Sequence, residues 1–213
     1  MKYSGKFITI EGIDGSGKST LAQNLVQKLQ EHGIPVLLTK EPGGSQLGQQ
    51  LRNILKTQSD PTCSKAEYLL FAADRAQHYI QIILPALEQG KVVISDRWAD
   101  SSVAYQGYGR GLDVSMIKSI NAWATNNIDP DAILYVNIDV QTALARIAKR
   151  CEELSTSTWT IENEKIDFWN KVIHGYEELY AQRSNVTVID GNQSQADMLK
   201  HTLEALKLLR NRS

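Results

Sequence analysis

Gly12-Ile13-Asp14-Gly15-Ser16-Gly17-Lys18-Ser19 fills every fixed position of the pattern Gly-x-x-x-x-Gly-Lys-Ser/Thr, a loop that cradles phosphate groups. The flanking residues supply what such a loop needs. Phe7-Ile8-Thr9-Ile10 is a short apolar, β-branched run that reads as a buried strand. Thr20 to Leu29 follows with Leu21, Leu25 and Leu29 at helical spacing, which predicts an amphipathic helix. The glycines let backbone N–H groups turn inward around phosphate oxygens, and the positive end of the helix dipole favours the anion. Lys18 is spaced to reach the terminal phosphates, and the Ser19 hydroxyl to ligate Mg²⁺. A glycine-rich turn that binds nothing is the alternative, and the strand and helix on either side weigh against it.

Composition sets the frame around this loop. A chain of 213 residues can bury a sizeable core as one α/β domain. Lys plus Arg number 23 against 24 Asp plus Glu, so no overall basic field argues for nucleic acid. The basic residues of Lys207 to Arg212 read as the end of a helix complementing its dipole. Cys63 and Cys151 have no metal or redox spacing, and the four histidines are scattered. No N-terminal apolar run suits a signal peptide and no segment is long enough to span a membrane, so the expectation is a cytoplasmic protein without a membrane partner.

Strand and helix signals alternate along the chain. Strands are predicted at Val36 to Thr39, Lys91 to Ser95, Ala132 to Ile138 and Val186 to Ile189. Helices are predicted at Leu47 to Leu55, from Ser64 towards Gly90 with a bend near Pro85, Val114 to Thr125, Thr142 to Cys151, Glu164 to Arg183 and Ser194 to Arg210. Ser64 with Glu67 three residues on forms a capping-box pattern, and Ser155 to Thr158 interrupts the helical run. Repeated βα alternation predicts an α/β fold, a parallel sheet with helices on both faces. No repeat or linker divides the chain, so residues 1–213 read as a single domain.

Ligands of such sheets gather at the carboxyl ends of the strands. Asp96 ends one strand and could hold Mg²⁺ opposite Ser19, or could be a turn acid. Glu41 precedes Pro42-Gly43-Gly44 and leaves the same two choices. Phe71 and Arg75 share a helix face. By spacing alone an aromatic there reads first as core, and base stacking is the second reading.

Four collinear segments resemble the thymidylate kinase family, whose members phosphorylate dTMP with ATP. They are Glu11 to Thr20, Thr39 to Gly44, Leu69 to His78, and Asp96-Arg97-Trp98 with Ser101 to Gly107. The phosphate loop alone occurs in many NTPases, whereas its combination with the Phe71 and Tyr105 segments is far more specific. The resemblance implies a five-stranded parallel sheet of order 2-3-1-4-5, a lid at about 146–163, a homodimer, and ATP, Mg²⁺ and dTMP as small-molecule ligands. It implies that Phe71 stacks on thymine and Arg75 donates to its O4, with Ser102 or Gln106 reading the remaining polar edge. Tyr105 would crowd the 2′ position of the sugar. Asp14 would touch the 3′-hydroxyl or orient the acceptor phosphate. Arg97 would bind that phosphate, with Glu41 orienting Arg97 or a metal-bound water. Arg146 would stack near adenine beside Asp190-Gly191-Asn192.

One departure stands out. Relatives carry a catalytic arginine in the phosphate loop or in an Asp-Arg pair of the lid, and this chain has Gly15-Ser16 in the loop and Trp159-Thr160 in the lid. The nearby cations are Arg146, Lys149 and Arg150. Arg150 is the expected catalytic replacement, since Arg146 suits adenine and Lys149 lacks the planar fork that fits phosphate.

Overall fold

The computed structural model describes residues 4–57, 62–154 and 160–210. Five strands form one all-parallel sheet: β1 (Lys6–Glu11), β2 (Val36–Lys40), β3 (Val92–Asp96), β4 (Ala132–Asn137) and β5 (Val186–Asp190). Their order is β2-β3-β1-β4-β5, as the resemblance implied. Each strand is short and apolar because helices cover both faces, so alternate side chains are buried on opposite sides. Ile8 and Ile10 of β1 face Leu21 and Leu25 of α1 (Lys18–Glu31) and Met198 of α9 (Gln195–Arg210). Phe7 points the other way and meets the Trp98 ring edge-on at 5.2 Å. On that second face Tyr105, Phe168, Trp169 and Tyr176 pack over Ile133 and Tyr135 of β4.

The register aligns the ends that matter. Ile10 of β1 and Lys40 of β2 both lie level with Asp96 of β3. The carboxyl ends of the three strands therefore open on one edge, where the chain switches from one side of β1 to the other, as expected for ligand sites in open sheets. On this edge stand α2 (Gln46–Thr57), α3 (Ser64–His78) and α5 (Ala99–Ser102), and the chain between them supplies most of the site.

Two local readings change. The bend expected near Pro85 is a widening: the helix becomes π-helical over Tyr79–Ile83 before α4 (Leu84–Glu88). Pro85 has no N–H to give to the preceding turn, and the Leu84 N–H reaches back to Tyr79 O instead. The capping box at Ser64 does not form. Cys63 is the N-cap residue and makes no side-chain cap bond. The Glu67 carboxylate is drawn away to Gln106 and Arg110. The remaining helices are α6 (Val114–Ala124), α7 (Val140–Leu154) and α8 (Ile166–Tyr180), with a π-helical stretch over Val103–Gly109 and a 3₁₀ turn over Thr160–Asn163. The break expected at Ser155 to Thr158 and the Trp159 position lie outside the described residues. No described helix is long and apolar enough to cross a membrane.

Candidate active site

The loop after β1 wraps the N-terminus of α1. Gly15 sits at φ +79°, and a Cβ there would fall 2.3 Å from the Ala143 carbonyl oxygen. Gly17 caps the helix in the left-handed region, φ +92°. Only glycine takes both positions without strain, which leaves the backbone free to face an anion. The buried Lys18 ammonium donates to Ile13 O at 3.1 Å and lies 3.9 Å from Asp14. Burial and the neighbouring Arg97 charge lower its pKa. Thr20 is exposed on the first turn of α1.

Ser19 and Asp96 are brought together as the strand-end rule suggested. Ser19 Oγ donates to Asp96 Oδ2 at 2.5 Å. Asp96 Oδ1 is buried and no described group donates to it. A hydroxyl beside an unsatisfied carboxylate oxygen, at the mouth of a phosphate loop, is a donor set that fits Mg²⁺ completed by substrate phosphates. The described residues hold no cluster of three His, Cys, Asp or Glu side chains of the kind an all-protein site would need.

Arg97 is the knot of the site. Its backbone is left-handed, φ +75°, which is costly for a residue with a Cβ and is sustained only by surrounding bonds. Its N–H donates to Ile10 O at 3.0 Å, and its own carbonyl accepts from Ser95 Oγ at 2.7 Å. The guanidinium donates to Gly12 O, Ser101 Oγ, Asp14 Oδ1 and Tyr105 OH, all within 3.1 Å, and lies 4.8 Å from the Tyr105 ring centroid. Tyr105 OH donates in turn to Asp14 Oδ2 at 2.9 Å. Burial works against the Asp14 charge, but Arg97 and Lys18 outweigh it and hold this carboxyl well below the usual range.

Glu41 does not pair with Arg97, one of the two roles expected of it. Its two oxygens are taken by Arg75 Nε at 2.9 Å and His78 Nδ1 at 3.0 Å, so it orients Arg75 rather than Arg97. The reason is the fold: the turn after β2 comes down on α3, where Asp74 accepts from Gly43 N–H at 3.3 Å. Arg75 is 1% exposed. Nη1 donates to Asn121 Oδ1 at 2.7 Å, and Nη2 to Trp98 O at 3.3 Å and Ser102 Oγ at 3.0 Å. With Nε on Glu41, four of its five N–H groups are used, and one on Nη1 has no described acceptor. Phe71, one turn earlier, is half-buried and lines the cleft, where a core residue would be buried in an apolar cluster.

A cleft of about 750 Å³ joins these parts, a size suited to small-molecule ligands. Asp14, Lys18, Ser19 and Asp96 line it together with Phe71, Arg75, Ser102, Tyr105 and Gln106. Arg150 lies on the rim, donating to Glu162 Oε1 at 2.6 Å. Arg52 is a lining residue that the sequence reading missed. It projects from α2 and donates to Pro42 O at 3.0 Å. A lone arginine on an amphipathic helix carries no local signal of function. Arg146 is not part of this cleft; it donates to Gly191 O at 2.9 Å beside Gly17, on the far side of the phosphate loop.

Beneath Arg97 lies Glu11, which is fully buried. It accepts from Trp98 N–H at 2.7 Å, Ser101 Oγ at 2.5 Å and Tyr176 OH at 3.2 Å. Burial, helped by the Asp100 charge, pushes its carboxyl up to about 8. Below the ordinary value of 4.5 it is protonated folded and unfolded, so its full contribution to stability is present there. As pH rises to about 8 the unfolded chain gives up a proton that the folded chain keeps, and that contribution is lost. The melting temperature should therefore fall from pH 5 towards 8 more steeply in the parent than in Glu11→Gln. Parallel melting curves for the two proteins over that range would mean that Glu11 ionises normally.

The family model for thymidylate kinase matches residues 10–201. The chain belongs to the thymidylate kinase family. It is 40% identical over 203 residues to the thymidylate kinase of Halothermothrix orenii, covering 95% of this chain and 97% of the relative. It is 42% identical over 202 residues to that of Finegoldia magna, covering 94% and 97%. The crystal structure of thymidylate kinase from Ehrlichia chaffeensis superposes with a TM-score of 0.74 at 33% identity, covering 95% of this chain and 98% of that one. Membership makes this protein a dTMP kinase whose phosphoryl donor is ATP.

Proposed function

We propose that the cleft holds dTMP and the phosphates of ATP, with adenine beyond the phosphate loop, and that the γ-phosphoryl group moves directly between the two nucleotides, as a step of dTTP synthesis in the cytoplasm. The observation that carries this reading is the convergence in one cleft of the phosphate loop, Arg97 and the Phe71–Arg75 pair. Lys18 would exchange the Ile13 carbonyl for the terminal phosphates. Ser19 and Asp96 would hold Mg²⁺, which when bound neutralises charge on the donor phosphates. Arg97 and Arg52 would grip the acceptor phosphate, with Asp14 fixing the Arg97 fork. Phe71 would stack on thymine, the spare Arg75 N–H would bind its O4, and Tyr105 would face the sugar. Arg146 and the 190–192 loop would flank adenine. No general base is required, because the attacking phosphate oxygen is already ionised. Catalysis then rests on alignment and charge neutralisation in a site closed to water.

ADP release from ATP, measured with a panel of nucleoside monophosphates, tests this. dTMP should drive it, with dUMP weaker. Release that is independent of any monophosphate would point instead to a nucleotide-dependent switch.

Residues 146–163 would act as the lid of a single domain. The exposed Leu69, Met116 and Trp123 on α3 and α6 support a homodimer. Arg150 is the lid cation of this proposal. Arg150→Ala should lower kcat by on the order of 10²-fold, the effect of losing one transition-state donor, and change the ATP dissociation constant far less. A kcat within about twofold of the parent would leave Arg150 as no more than the partner of Glu162.

A further inference from the structure

Glu67 lies one turn before Phe71 on α3 and lines the same cleft. Gln106 Nε2 donates to Glu67 Oε1 at 2.8 Å. Arg110 grips the same carboxylate from the other side, Nε to Oε1 at 3.3 Å and Nη2 to Oε2 at 3.1 Å. Arg110 is itself held by Glu164, which follows the 3₁₀ turn at the end of the lid segment, and lies 4.8 Å from the Phe168 ring centroid. Gln106 is 2% exposed, so its amide sits where a wrong orientation would be costly.

The donor inventory then decides which way that amide faces. A carboxylate paired with arginine only accepts, so Gln106 must offer it the NH₂ end. No described residue donates to Gln106 Oε1. Next to the thymine O4 assigned to Arg75, the base edge carries N3–H, a donor. Cytosine has a bare ring nitrogen at that position, an acceptor. An oxygen facing the base pairs with the first and repels the second.

We propose that Glu67 is a positioning residue for acceptor choice: by holding the NH₂ of Gln106, it turns the amide oxygen to the base and makes the site demand a ring N–H. This rests on Gln106 being a base contact, and the test separates the two statements.

In Glu67→Gln, Arg110 can only donate and claims the new amide oxygen, leaving the new NH₂ facing Gln106. Gln106 must then turn its own NH₂ towards the base. The ratio of kcat/KM for dTMP over dCMP should fall by at least about tenfold, as one hydrogen-bond mismatch changes sides. The ratio for dTMP over dUMP should not change, because both bases carry N3–H. These ratios are taken on one protein sample, so a loss of folded protein cancels from them. Glu67→Ala, which frees Gln106 to turn either way, should lower the dTMP/dCMP ratio to a smaller extent and serves if the Gln variant fails to fold. Gln106→Leu should raise the KM for dTMP at least about tenfold through the lost contact. If Gln106→Leu does so while both Glu67 variants keep the parent dTMP/dCMP ratio, the positioning role is overturned and the base contact stands. If Gln106→Leu leaves dTMP kinetics unchanged, Gln106 does not read the base and the proposal falls with it.

Discussion

The specificity constant for dTMP should exceed that for dCMP by on the order of 10⁴-fold. The reason lies in how Arg75 is spent. Its buried guanidinium gives four N–H groups to Glu41, Asn121, Trp98 O and Ser102 and keeps one in reserve. Thymine O4 would accept that last bond. Cytosine presents an amino group there, so two donors would face each other around a cation that is 1% exposed. Sites built around a buried hydrogen bond reject an unmatched analogue far more strongly than they reject a missing methyl. dUMP lacks only the methyl and should fall about 10–200-fold below dTMP, the range for a lost apolar contact of that size. Steady-state kinetics with the three monophosphates at saturating ATP measure both gaps. Comparable constants for dTMP and dCMP would remove Arg75 as the reader of O4.

What could be read from the sequence divides by the range of the interactions involved. The phosphate loop was legible because its requirements are local: a strand, glycines that tolerate positive φ, and a helix start. The Ser19–Asp96 pairing was half legible. The rule that ligands lie at strand ends selected Asp96, but only the parallel register of β1 with β3 brings it to Ser19. Glu67 was misread as a capping residue because its local offset from Ser64 is suggestive, while its partners lie 39 and 43 residues away. Glu11 was read only as the first residue of a segment that resembles the family, with no role of its own. Its contact with Tyr176 spans 165 positions and follows no periodicity. Glu41 was read as orienting Arg97 or a metal-bound water; its pairing with Arg75 and His78 follows from the descent of its turn onto α3, a tertiary fact.

Arg97→Ala should lower kcat/KM for dTMP by about 10³-fold while the protein stays folded. A charge-assisted hydrogen bond to phosphate contributes about 1.5–3 kcal/mol, and loss of a donor that strengthens in the transition state costs up to about 10³ in rate. The competing explanation is structural: Arg97 ties Gly12 O, Ser101, Asp14 and Tyr105 together, and its removal could loosen all of them. Two features of the site separate these accounts. Asp14 would keep a cation, because Lys18 lies 3.9 Å away, so the carboxylate is not stranded. The backbone at position 97 is left-handed, φ +75°, and alanine inherits that strain whereas glycine relieves it. Arg97→Gly should therefore melt no lower than Arg97→Ala, yet be just as inactive with dTMP. ATP affinity should change little in either variant, since the loss falls on the acceptor side. A large drop in melting temperature for both variants, with kcat/KM within about threefold of the parent once folded protein is counted, would make Arg97 a structural tie rather than an acceptor ligand.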